Sequence, residues 1–157
     1  MSPLPEPRPI EIDESLWPLL TIRYRGVTTA SQYAELLAAR SRYLDRRERH
    51  LILHDMSQSS SMSSGEQRRL QAEWMKQEDA RMRQWVVGIA FVTDSVPLRL
   101  LLSVIQHVRP LTMPNAIFPR VSEALPWIVA QLRQSGLDIG SPSLLAHFGL
   151  EHGRSLG

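Results

Sequence analysis

The chain has 157 residues, 43% of them hydrophobic and 22% charged, the size and makeup of one soluble globular domain. It contains no cysteine, which excludes disulfides, thiolate metal sites, iron–sulfur clusters and cysteine nucleophiles together. The formal net charge is only +2, so no global field draws nucleic acid or an anionic membrane.

Residues 1–9 hold four prolines and no apolar stretch, and read as a Pro-rich extended arm rather than a signal peptide. Ile10 and Ile12 alternate with Glu11 and Asp13 as a short strand. Trp17-Pro18 turns the chain, because the residue before a proline is pushed out of the helical region. Leu20, Ile22 and Tyr24 then alternate with Thr21, Arg23 and Arg25, the period of a half-buried strand, ended by Gly26. The two strands are close enough in sequence to pair as an antiparallel hairpin.

A helix is expected from Thr28 or Thr29, both capping residues, to about Arg46, with Tyr33, Leu36, Leu37 and Leu44 at helical spacing. Leu51 to Asp55 reads as a buried strand, and Ser57 to Ser64 as a polar loop. A long helix follows from Gly65 to about Trp85, with Arg69–Glu73 and Asp79–Arg83 as side-chain pairs one turn apart. Val86 to Asp94 is apolar on both faces, as a central strand covered on two sides should be. Pro97 suits the first turn of a third helix, on which Leu98, Leu101, Leu102, Ile105 and Val108 form a core-facing stripe. Ala116 to Phe118 is a short strand near an edge, and Ser122-Glu123 opens a last helix that Gly136 stops. Residues 138–157 read as a loose tail with one amphipathic turn at Leu144, Leu145 and Phe148. The expected fold is α/β, a mixed and mainly parallel sheet in the order ββαβαβαβα with loose termini.

From Pro9 to Leu137 this order resembles the STAS and SpoIIAA-like domains of bacteria. The likeness rests on the opening hairpin, on Leu51-Ile52-Leu53-His54-Asp55-Met56-Ser57, on the Val87–Asp94 strand, and on Phe118 leading into Ala124-Leu125-Pro126-Trp127. In the anti-sigma-factor antagonists of this group an Asp-Ser-Ser-Gly motif opens a helix, and phosphorylation of its first serine switches partner binding. Ser63-Ser64-Gly65 matches the last three residues, whereas Met62 stands in place of the aspartate and Glu66-Gln67-Arg68-Arg69 in place of an apolar helix start. The resemblance is therefore nearer to the broader SpoIIAA-like, STAS/SEC14-type group. It implies a single domain over residues 10–137.

Several residues are candidates for function. Ser63 and Ser64 serve either as helix caps, each with a Glu or Gln three residues on, or as phosphosites facing the positive end of the helix dipole with Arg68 and Arg69 one turn away. Asp55, Ser57, Asp94 and Arg120 fall at strand ends, where open α/β sheets place a ligand crevice; the competing role for the aspartates is to cap turns. Leu70, Trp74, Met75 and Met82 form a face that is either core or the wall of an apolar pocket. Leu100 and Val104 are apolar in excess of the third helix's inner stripe and suit either a subunit interface or a lipid-facing pocket wall. Arg40, Arg42, Arg46, Arg47 and Arg49 cluster without an aromatic platform, and read as a solvated helix end. His50 and His54, and His147 and His152, lack the spacing of a zinc site, and no G-x-S-x-G, P-loop or G-x-G-x-x-G is present.

The expectation is a non-enzymatic, cytoplasmic regulatory or adaptor module that binds another protein, with no cofactor, metal, nucleic acid or membrane insertion. The alternative is a carrier or sensor of a small apolar ligand in a pocket of the type the resemblance implies. A homodimer about Leu100 and Val104 is expected, unless the tail folds back and covers that patch.

Overall fold

Alternating side chains build the opening hairpin as anticipated: β1 (Ile10–Leu16) runs antiparallel to β2 (Leu19–Gly26), with Ile12 opposite Ile22. The polar face of the hairpin is tied by Arg25 to Glu11 at 2.7 Å and by Arg23 to Asp13 at 3.4 Å. The computed structural model describes residues 8–60, 64–108, 110–139 and 141–149. Ser63, His152 and most of the Pro-rich arm lie outside these residues.

Thr29 opens α1 (Ala30–Leu44) with a reciprocal capping box, its hydroxyl accepting from the Gln32 N–H while the Gln32 side chain accepts from the Thr29 N–H. The next strand, β3 (His50–Ser59), is longer than expected. Part of the serine-rich loop stays in the sheet because, after a bulge, Gln58 and Ser59 still pair with Arg25 and Gly26. α2 (Gly65–Trp85) occupies its expected span, and Asp79 pairs with Arg83 at 3.0 Å. β4 (Val86–Val92) ends before Asp94; α3 (Val96–Val108), β5 (Asn115–Phe118) and α4 (Val121–Gln134) follow.

Gly136 ends α4 at a φ of +75°, a conformation that costs glycine little. Its N–H donates to the Arg133 carbonyl and that of Leu137 to the Leu132 carbonyl at 2.8 Å, so the last turn is closed on both sides. Within the segment read as a tail lies α5 (Ser141–His147), which buries Leu144. His147 meets Asp13 at 2.7 Å, and Arg23 lies over the Phe148 ring.

The sheet has five strands in spatial order β1-β2-β3-β4-β5, the β1–β2 pair antiparallel and the rest parallel. Strands that advance in one direction with crossovers of one hand carry α1, α2 and α3 to the same face. On that face Leu20, Ile22, Ile52 and Ile89 meet Leu36, Leu37, Trp74 and Met82. The opposite face buries Leu19, Leu51, Leu53 and Ala90 under Leu125, Ile128 and Leu132 of α4 and Leu144 of α5. No helix among the described residues is long and apolar enough to cross a membrane.

Candidate functional site

The first core is not packed throughout. Between β2, β3 and β4 on one side and α1, α2 and α3 on the other lies a cavity of about 250 Å³. Its wall is chiefly apolar: Met56, Ile89 and Phe91 from the strands, Met75 and Met82 from α2, and Leu98, Leu101, Leu102 and Ile105 from α3. Period-2 alternation places the strand side chains there, since His54 and Met56 share the face of Ile52 while Leu53 and Asp55 point to the other.

A polar group sits at the α1 end of this apolar wall. Arg40, Tyr24, Tyr33, His54, Gln67 and Gln71 all line the cavity. Arg40 is only 4% exposed. Its guanidinium carbon lies 4.4 Å from the Trp74 ring centroid, and one of its terminal nitrogens donates a long bond to Met82 Sδ at 3.7 Å. Its Nε has no hydrogen-bond partner among the described residues. Burial lowers the Arg40 pKa from its usual value, but an arginine stays protonated in proteins at neutral pH. Burying an unpaired charge costs several kcal/mol, of which a desolvated cation–π contact returns about 2.

The neighbours of Arg40 do not neutralise it. Burial pushes the Tyr33 phenol up to about 12 and the Tyr24 phenol well above its ordinary value, so both keep their protons. Tyr24 and His54 are joined by a hydrogen bond of 2.9 Å, and His54 stacks on Phe91. Burial first, and the positive Arg40 second, hold the His54 pKa well below its usual value, leaving a neutral imidazole. Tyr33 donates to Gln71, and Gln67 donates to the Thr28 carbonyl at 2.6 Å.

The residues singled out from sequence are divided by this geometry. Met75 and Met82 line the cavity, whereas Trp74 packs in the core under Arg40, its Nε1 donating to Ser41 at 2.9 Å, and Leu70 packs beside the same core. Ser64 caps α2 by accepting from the Gln67 N–H at 3.1 Å. The reciprocal arm is missing, because the Gln67 side chain turns to Thr28. Asp55 bonds locally to the Ser57 N–H and hydroxyl, and Asp94 and Arg120 are exposed. Among the described residues no bond joins this Asp55–Ser57 pair to Asp94 or Arg120, and none of the four lines the cavity.

Two expectations about apolar and basic faces need correction. Arg40 does not belong to a solvated basic cluster, because it lies on the inward stripe of α1 with Leu36, Leu37 and Leu44. Val108 is 71% exposed and does not line the cavity, so the inner stripe of α3 is shorter than expected and ends at Ile105, which is 41% exposed. Leu100 and Val104 are exposed, forming with Val96 and Val108 an outer stripe at intervals of one turn. The described part of the tail does not cover them, since Leu144 of α5 is buried on the opposite face of the sheet.

Sequence reasoning missed Arg40, Tyr24, Tyr33 and His54 as lining residues. The spacing of Tyr33, Leu37, Arg40 and Leu44 carried the signal: a charged residue on an otherwise apolar helical stripe. No family model matches the chain, and no curated protein matches it significantly.

Proposed function

We propose that the protein is a carrier or sensor of a small, largely apolar ligand held between the sheet and α2 and α3, acting by binding and without a catalytic step. The observation that carries this reading is the cavity of about 250 Å³ with its methionine, leucine and phenylalanine wall. An engineered cavity of ~150 Å³ is already large enough for benzene, so this one suits a ligand on the order of ten non-hydrogen atoms. Met56, Met75 and Met82 adapt the wall to a flexible guest, since thioether side chains change shape at low cost. The resemblance to STAS/SEC14-type domains drawn from the sequence accords with an apolar pocket on such a sheet.

Native mass spectrometry of the purified protein tests the reading. A retained small-molecule mass, or uptake of added octan-1-ol or octanoate, supports it; a clean protein mass with no uptake of either overturns it.

The outer stripe of α3 favours a second reading, a module that binds protein through this face. Val96, Leu100, Val104 and Val108 are each more than half exposed, and the simplest partner for such a stripe is a second copy across a two-fold axis. The two readings are compatible, because opposite sides of one helix carry them.

A further inference from the structure

We infer that the ligand of this cavity is an apolar carboxylic acid whose carboxylate pairs with Arg40. The inference rests on the ligand-binding reading above and adds the chemistry of the head group.

Arg23, Arg25, Arg46, Arg81 and Arg83 each reach an aspartate or glutamate. Arg40, far more deeply buried than these, reaches none among the described residues. The described residues that line the cavity include no aspartate or glutamate, and the polar ones beside Arg40 are neutral phenols, amides and an imidazole. The cavity therefore carries a net positive charge at its buried end and an apolar surface over most of the rest. A molecule complementary to both has an anionic head and an apolar body.

The geometry also selects the kind of anion. Trp74 covers one face of the guanidinium, Nε is enclosed by protein without an acceptor, and a terminal nitrogen holds only the soft sulfur of Met82. The remaining donors of the two terminal nitrogens lie in the guanidinium plane, where a planar carboxylate bonds end-on through both oxygens. One buried cation balances one negative charge. A phosphate monoester carries closer to two near neutral pH and would leave the excess desolvated. Arg68 also borders the cavity, but it is exposed to water, which screens its charge. Away from Arg40 the ligand body meets Phe91, Leu98, Leu101 and Leu102.

The test is calorimetric titration of the full chain with octanoate, octan-1-ol, octyl phosphate and acetate. Partition into an apolar site alone favours the neutral alcohol, because a charged head must be desolvated. The inference predicts the reverse, octanoate binding at least ~10-fold more tightly than octan-1-ol, as a charge-assisted pair allows. It also predicts that Arg40→Met and Arg40→Gln abolish this preference while still binding octan-1-ol. Equal affinity of the wild type for octanoate and octan-1-ol overturns the carboxylate assignment and leaves the ligand-binding reading standing. Tighter binding of octyl phosphate than of octanoate overturns the assignment in favour of a phosphate head. Acetate binding as tightly as octanoate overturns it in favour of a bare anion site. Failure of all four to bind removes the ligand-binding reading and the inference with it. The wild-type comparison stands even where a variant fails to fold.

Discussion

The guanidinium of Arg40 stacks on the indole of Trp74, its central carbon 4.4 Å from the ring centroid, inside a core that supplies it no counter-charge among the described residues. Such a residue is retained at a cost to stability. Replacing a buried charge by an apolar side chain of similar length is commonly neutral or stabilising, so Arg40→Met is expected to raise the stability of the ligand-free protein by about 1–2 kcal/mol. Urea denaturation reads this directly. A loss of stability larger than ~1 kcal/mol would show that the cation–π contact outweighs the desolvation of the charge.

The cap of α2 gives a second expectation. Ser64 accepts from the Gln67 N–H, whereas the Gln67 side chain is committed to Thr28. Ser64→Ala should therefore cost about 1 kcal/mol, and Ser64→Asp, which keeps a capping oxygen, should cost little. Equal loss in both variants would mean that the hydroxyl does something other than cap. A phosphate found on Ser64 in protein from its native host would add the switch reading to the cap.

Acid should destabilise the protein through its buried histidines. Burial lowers the pKa of both His50 and His54, although the bond to the Glu48 carbonyl opposes the shift at His50. The unfolded chain takes up protons below about pH 6.5, while the folded one does not until a lower pH, so stability falls as pH drops through this range. The slope is up to ~1.4 kcal/mol per pH unit for each histidine. His54→Gln should flatten the profile between about pH 6.5 and 5. An unchanged slope in that variant would place the proton uptake elsewhere.

Much of the fold is legible in local pattern. Alternation marks β1 and β2, and the span of α2 follows from Ser64 as cap and the apolar run that begins at Val86. Other features depend on partners distant in sequence. β3 runs through Ser59 because β2 offers Gly26 for pairing, which nothing in a serine-rich stretch reveals. The site was legible only in part for the same reason. Met75 and Met82 declare an apolar face, but whether that face meets packed side chains or a cavity is decided by how three helices sit on the sheet. Arg40 looks like one arginine among many until α1 is placed with its Leu36–Leu44 stripe against the sheet.

The exposed stripe of α3 should drive self-association. Sedimentation is expected to show a dimer in the wild type and a monomer in the Leu100→Glu, Val104→Glu double variant, because charges cannot be buried unpaired at a two-fold contact. A wild type that stays monomeric at high concentration would leave the stripe for a different protein partner.

The cavity's occupancy is tested most directly by methyl NMR of protein labelled at methionine and titrated with octanoate. Met56, Met75 and Met82 line the cavity, while Met113 is buried in the same core but does not line it. The predicted result is movement of the Met56, Met75 and Met82 methyl resonances with one shared saturation curve, and no comparable movement of Met113. Saturating octanoate that leaves those three resonances in place, or moves Met113 as far, would contradict the account.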